Sequence, residues 1–526
     1  GDRVQTTDKL KVRKTPAGTL LGVQAKGAKG TVIGGPKTSS NGVVWYQVSY
    51  DKAPRGWSAQ GWLVKVGGDV SNKGGGVVKN NAFILGKSGR SFTYNGEPAY
   101  LVGFDKQEIV SDPTSNYVAS LDTFQKYNIN KVRIWLYTWF HENKYVNNSP
   151  WKYSNGKFDL DTWNDAYWVR VKDFIKEAAK RDIAVEITIF APYPGADWWS
   201  NNKTLAWLKE NNINGAFSRN NSGTMSQFFN LNYSEKSNSG KTLRQYQEAL
   251  IDKTATELGS FGNVYFEIAN EFGAYANISR DYLWQNAMAK RLANKTNRLV
   301  SVHAQEANKN TQFSYANKPY VDVMNYRVFG TGSSVDYSPS GSSKMFNPVQ
   351  RSGKILSVNE SSGIGNIPNI AEDIDANTQY AWGVAMSGAS FAFYQDKTIT
   401  IGDSVWIAAA KRLRAIRTVF EAANFSTLSP VDSNGKEYDS LVSSGPGDKW
   451  QVMANPGTRY LVYFWGNKSN KSAVINGTSG AYSYAWYDTR DARVVASGKL
   501  NGNGKLTIIA PNTSQWNGKT GLALFL

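Results

Sequence analysis

VYFEIANE, residues 264–271, is an apolar run that stops abruptly at an amide beside a carboxylate. Val264, Phe266, Ile268 and Ala269 suit a strand buried on both faces, the setting that a parallel sheet covered by helices provides. Asn270 and Glu271 then fall at its C-terminal end. In a barrel of alternating strands and helices that end carries the chemistry, because its loops vary while the packed strands hold residues rigidly. Read alone, the same two residues would also serve to end a strand and cap the next helix.

Working outward, strand-like runs recur on both sides: LVGF (101–104), KVRIWLY (131–137), AVEITIF (184–190), RLVSVHA (298–304), VDVMNY (321–326), KILSVNE (354–360) and GASFAFY (388–394). Amphipathic stretches separate them. The clearest runs from Thr162 to Lys180, where Trp168, Val171, Ile175 and Ala178 recur at helical spacing with Lys and Glu between. Eight strands separated by helical stretches predict a (β/α)8 TIM barrel over residues 81–425, with an open doubly wound sheet as the competing arrangement. A short hairpin within 82–101 leads into it. Its LGKSGRS segment has Asn81 where a phosphate loop needs glycine, so no phosphate site is expected.

The flanks read differently. Residues 1–66 are short strands broken by turns, residues 67–80 are a Gly-rich linker, and after a helix near Val405–Ala423 residues 426–526 return to strands divided by Gly and Asn turns. The last segment is expected to form a β-sandwich packed on the barrel. The first resembles the bacterial SH3-like domain through Leu10, Val12, Arg13, Gly30, Thr31, Val32, Trp45, Tyr46, Val48, Gly56 and Trp57. Trp45, Tyr46 and Trp57 fit a small core and a glycan-stacking face equally well.

At 526 residues the chain exceeds one ordinary core, so the fold class is multidomain. It has no cysteine, and its two histidines, His141 and His303, would both be needed with a carboxylate to hold zinc; no metal or cofactor is expected. No run is long and apolar enough for a membrane span, and a first residue other than Met suggests a secreted bacterial protein that has lost its signal peptide. The net charge is +18, and residues 1–79 carry 13 Lys and Arg against 4 acids. That basic piece is the expected docking surface for an anionic cell-wall polymer. Nucleic acid is not expected as a partner, because no nucleic-acid fold signature accompanies the charge. A monomer is expected.

The stretch VYFEIANE resembles the fourth strand of the clan of retaining glycoside hydrolases that includes cellulases and mannanases, where it reads roughly F-E-x-x-N-E. Phe266, Glu267, Asn270 and Glu271 match, while Phe272 stands where proline often follows. The resemblance implies that Glu271 is the acid/base and that Glu360, ending KILSVNE three strands later, is the nucleophile. Retaining hydrolysis requires two such carboxyls about 5 to 5.5 Å apart. It further implies that Arg133 is directed at the nucleophile, that Asn270 bonds the sugar 2-hydroxyl, and that Tyr326 donates to the nucleophile, although Met324 replaces the usual histidine two places before. Tyr394 would replace the tryptophan platform of strand eight. Trp135, Tyr137, Trp198 and Trp199 are candidate stacking surfaces for sugar rings. Period-two alternation puts Arg133, Trp135 and Tyr137 on one face, without saying which face points inward. Glu267 matches the motif but lies below the mouth and is read as structural, and Glu186 lies within its strand. The activity implied is cleavage of an internal β-linked polysaccharide bond. A transglycosylase using the same two Glu, and a catalytically inert glycan or cell-wall binding protein, are the alternatives.

Overall fold

The computed structural model describes residues 3–7, 9–39, 43–65, 83–136, 145–190, 205–215, 217, 226–270, 278–304, 315–328, 352–364, 370–395, 399–430, 442–444, 449–465, 472–511 and 522–526. Tyr137, Trp198, Trp199, Glu271 and the linker lie outside them. The chain divides into two compact units, Gly1–Asn80 and Asn81–Leu526.

The first unit is an antiparallel sheet of seven strands in the spatial order Leu20–Gln24, Leu10–Arg13, Gly56–Ala59, Val44–Tyr50, Lys29–Thr38, Arg3–Thr6, Leu63–Lys65. Alternation along the strands turns Val4, Val12, Val48 and Tyr50 into a small common core. Trp45 and Trp57 are buried too. Arg13 lies over the ring of Trp45 and Lys37 over that of Trp57, so these tryptophans support cations instead of offering open stacking faces.

The second unit is built on a closed parallel barrel. Its strands are β1 (Val102–Asp105), β2 (Lys131–Trp135), β3 (Ala184–Phe190), β4 (Val264–Ala269), β5 (Val300–His303), β6 (Val323–Val328), β7 (Ile355–Ile364) and β8 (Ala389–Gln395). Each corresponds to one of the eight runs read from the sequence. Closure is direct: Val102 to Asp105 pair with Phe391 to Tyr394 in register. The open doubly wound sheet is thereby excluded.

The described helices are α1 (Tyr117–Lys126), α2 (Asp165–Lys180), α3 (Leu243–Leu258), α4 (Ile278–Ala293), α5 (Ile370–Met386) and α6 (Ser404–Ala422). α2 starts three residues later than its periodicity suggests, because Thr162 and Trp163 end a strand, Lys157–Trp163, that pairs with Trp151–Ser154. Its Trp168, Val171, Ile175 and Ala178 are buried as the spacing requires.

Apolar side chains on the outer face of the strands meet the helices in one large core, with Trp406 of α6 stacked on Phe104 and Phe124. The N-terminal end of the barrel is closed by a three-stranded sheet (Leu85–Ser88, Ser91–Tyr94, Glu97–Ala99). Its Phe92 and Leu85 pack with Leu101, Ala184, Tyr265, Leu299, Val323 and Ile355 at the base of the strands. Gly262 allows this plug to seat: a Cβ there would stand 1.8 Å from the Phe83 carbonyl oxygen.

Among the described residues, seven further strands follow α6 in one hydrogen-bonded sheet. Its long strand Ser472–Asp488 pairs with Val442–Ser444 near one end and with Leu522–Phe525 at the other. Residues from both regions, including Ile475, Val462 and Leu524, share one core; the segment expected to be a sandwich is thus one continuous β-sheet among the described residues. The opposite side is fastened to the barrel helices. Trp382 of α5 stacks on Tyr463 at 5.3 Å and donates its indole N–H to the Thr489 carbonyl, and Gln451 donates to the Gly383 carbonyl. Trp382→Ala removes a fully buried ring at this junction. It should cost about 3 to 5 kcal/mol in denaturant unfolding.

Candidate active site at the C-terminal end of the barrel

Contacts between strands that are not neighbours must cross the barrel interior, and these identify what points inward. Lys131 on β2 bonds Ser357 on β7; Asn359 on β7 bonds Glu186 on β3 and Glu267 on β4; Asn325 on β6 bonds the same two carboxyls. The inward face of β2 is therefore the one carrying Lys131, Arg133 and Trp135. The apolar residues of VYFEIANE face the other way, while Tyr265 and Glu267 face in.

Two cations and three carboxyls, all inaccessible to solvent, occupy this interior. Lys131 pairs with Glu186 at 2.8 Å. Arg133 spans Asp105 at 2.8 Å and Glu267 at 2.5 Å. Thr188 donates to Glu267 and Tyr265 to Glu186. Burial opposes ionisation of Glu186, but the charges of Lys131 and Arg133, with hydrogen bonds from Lys131 and Asn359, outweigh it and hold this carboxyl below the usual range. Burial moves Glu267 the other way, against Arg133 and reinforced by the charge of Glu186. Glu267 is thus held inside the barrel by Arg133, Thr188, Asn325 and Asn359.

Above this layer lies the mouth. Asn270 follows β4 and by alternation would face outward, yet its amide oxygen accepts from the Arg133 guanidinium at 2.6 Å. Arg133 therefore joins the strand-four motif to the ends of β1 and β2, and its guanidinium is already engaged by Asp105, Glu267 and Asn270. Trp135, one inward position higher, is buried with its ring centroid 5.7 Å from that guanidinium; its indole N–H has no hydrogen-bond partner among the described residues.

Tyr394 is half-buried and stands in register with Asp105 at the β8–β1 seam. Tyr326 lies with Met324 in the apolar core, and the inward place on β6 is taken by Asn325. Glu360 lies in β7 opposite Arg327, where the register slips between Val358 and Ser361. Strands four and seven thus both depart from two-residue alternation where their motif residues fall.

Several residues at this end were not singled out as site residues in the sequence. Asn325, Asn359, Ser301 and Ser357 look like ordinary polar residues of a strand until the barrel closes around them. His303 ends β5 in register with Asn325, alternating inward with Ser301. The polar, apolar alternation of SVH and VMNY carries this signal in the sequence, and only the topology says what the polar residues meet. Among the described residues no group of His, Cys, Asp and Glu is arranged to hold a metal ion.

No protein-family model matches the chain, and no curated protein matches it in sequence. Solved structures match its fold. A glycoside hydrolase family 5 protein from Bacteroides vulgatus superposes with a TM-score of 0.57 and 12% identity, covering 85% of this chain and 93% of its own. A candidate glycoside hydrolase from the same organism gives 0.58 and 14% over 99% of this chain and 98% of its own. A further glycoside hydrolase gives 0.54 and 13% over 85% and 97%. At these identities the likeness is one of fold.

The charge layer yields a pH-dependent prediction. In the parent, the lowered carboxyl of Glu186 contributes stability that is present above the ordinary carboxylate range and lost as pH falls through its depressed value. Lys131→Met strands that carboxylate and should destabilise the protein by about 3 to 5 kcal/mol near neutral pH. With Lys131 gone, burial weighs more heavily on Glu186 and its carboxyl should move up, so the deficit should shrink as the solution is acidified. Urea unfolding of both proteins across the acid range checks the sign.

Proposed function

We propose that the protein is a retaining glycoside hydrolase that cleaves internal β-linked bonds of a polysaccharide by double displacement, with Glu271 as acid/base and Glu360 as nucleophile. The observation that carries this proposal is the Arg133–Asn270 hydrogen bond. It draws Asn270 of the strand-four motif inward at the end where (β/α)8 enzymes place their chemistry, which supports this reading. The next residue along the chain is Glu271, and Glu360 enters three strands later at the slipped end of β7. The likeness in fold to glycoside hydrolases, one of them of family 5, supports the same assignment.

In this mechanism Glu360 attacks the anomeric carbon while Glu271 protonates the departing oxygen; Glu271 then takes a proton from the water that releases the glycosyl group. Double displacement requires the two carboxyls to stand about 5 to 5.5 Å apart. The Asn270 amide, its oxygen held by Arg133, presents its NH2 group to the sugar 2-hydroxyl. The unpartnered indole N–H of Trp135 is a donor that a sugar hydroxyl would satisfy. Tyr394 flanks the same mouth, with Tyr137, Trp198 and Trp199 as stacking surfaces on the loops. The protein acts at or outside the bacterial cell surface, and the basic residues 1–79 hold it on an anionic wall polymer.

Glu360→Ala should reduce release of new reducing ends from a glycan panel by more than about a thousandfold in a protein that still melts cooperatively; substantial residual activity on the true substrate would sink the assignment. Glu271→Gln should slow hydrolysis of a natural glycan far more than that of an aryl glycoside whose leaving group needs no proton. Deleting residues 1–79 should weaken binding to anionic cell wall, with the loss greatest at low salt, while leaving hydrolysis of a soluble glycan nearly unchanged. Equal wall binding by the truncated protein would refute that role.

A further inference from the structure

We infer that Asn359 is a positioning residue for Glu360: its buried amide ties the slipped end of β7 to the carboxyls of β3 and β4, and so fixes where the next residue stands. This rests on Glu360 being the nucleophile.

β7 leaves register at this point. Between two successive pairings it advances from Val358 to Ser361 while β8 advances only from Phe391 to Phe393. Against β6 it gains one residue between Tyr326 and Arg327. An extra residue in one strand bends it and removes ladder hydrogen bonds, so the strand end needs another anchor. The Asn359 side chain supplies it. It is inaccessible to solvent, and its Nδ2 lies 2.9 Å from both Glu186 Oε1 and Glu267 Oε1. Asn325 bridges the same two oxygens at 2.6 and 3.0 Å from β6, held in turn by Ser301 at 2.7 Å.

The position demands a neutral donor. Its partners are Glu186 from β3 and Glu267 from β4; those carboxyls also meet Tyr265 from β4 and Lys131 and Arg133 from β2, Arg133 in turn meets Asp105 from β1, and Glu360 is next in the chain. A second cation on these carboxyls is not required, since Lys131 and Arg133 already reach them. A carboxylate would add charge to a site where carboxyls already outnumber cations. An apolar side chain would leave two buried acceptors short of a donor.

The test compares Asn359→Ala, Asn359→Asp and Glu360→Ala with the parent, measuring kcat and KM across pH on the glycan that the parent cleaves best, together with thermal melts. Asn359→Ala should lose about a hundredfold in kcat with KM within about threefold, because a small misplacement of a reacting group costs rate and not binding. In Asn359→Asp the new carboxyl, protonated in acid, keeps one donor and the shape of the amide. Burial and its carboxylate neighbours raise its pKa. Its kcat relative to the parent should therefore lie within about fivefold near pH 5 and fall to about one fiftieth near pH 8. A merely space-filling role predicts a ratio independent of pH.

A flat ratio, or an Asn359→Ala variant within threefold of the parent in kcat, overturns the inference. Should Asn359→Ala fail to melt cooperatively, the acid limb of Asn359→Asp decides alone. Activity surviving in Glu360→Ala, or a parent inactive on the whole panel, defeats the functional assignment and this role with it. A dead Glu360→Ala beside a normal Asn359→Ala defeats the positioning role only.

Discussion

Charges buried inside a closed barrel constrain everything around them. Lys131 and Arg133 on β2, Asp105 and Glu186 on the flanking strands β1 and β3, and Glu267 on β4 cannot reach water, and removing any one strands another. The remaining polar residues of the interior follow from that constraint. Asn325, Asn359, Ser301, Ser357, Thr188 and Tyr265 supply neutral hydrogen bonds that the ion pairs leave unmade. Such a layer contributes less to stability than an apolar one of the same volume. It does fix register, because a strand shifted by one residue would turn its charge into the helices.

The same layer connects fold and chemistry. Arg133 belongs to the interior through Glu267 and Asp105 and to the mouth through Asn270, so the strand-four motif is positioned by groups that also hold the barrel together. β7 does the equivalent through Asn359. Glu267, though part of the motif, takes part in this support through Arg133, Thr188, Asn325 and Asn359. Asp105, at the end of β1, does so as well.

The eight strands were legible because each is a short apolar run and amphipathic helices separate them; the packing of α2 followed from Trp168, Val171, Ile175 and Ala178 alone. The inward residues were not legible in the same way. Period-two alternation groups Arg133 with Trp135, but a barrel residue takes its partners from several strands, some of them more than a hundred positions away, as with Lys131 and Ser357. Alternation also misleads where it breaks. Asn270 reaches inward from an outward place, and the slip at Glu360 has no marker in KILSVNE. The helix start at Asp165 was missed for a local reason: Thr162 and Trp163 carry β propensity and are captured by a hairpin. Trp45 and Trp57 show the limit from composition, since aromatic content says nothing about whether a cation covers the ring.

The seam that closes the barrel joins segments synthesised far apart. Tyr100 donates to the carbonyl of Ala389 across 289 residues, and β1 has no partner on that side until β8 exists. The helices flanking the seam, α5 and α6, are in turn braced by strands that follow residue 449. During synthesis the outer edge of β1 therefore waits unpaired until β8 has emerged, while each later strand pairs with the one before it. Contacts of such long span form slowly, and exposed strand edges invite association between molecules. The C-terminal sheet comes later still and covers α5 and α6, so shortening the chain from that end would leave all eight barrel strands but bare the helix faces that Tyr463 and Gln451 cover.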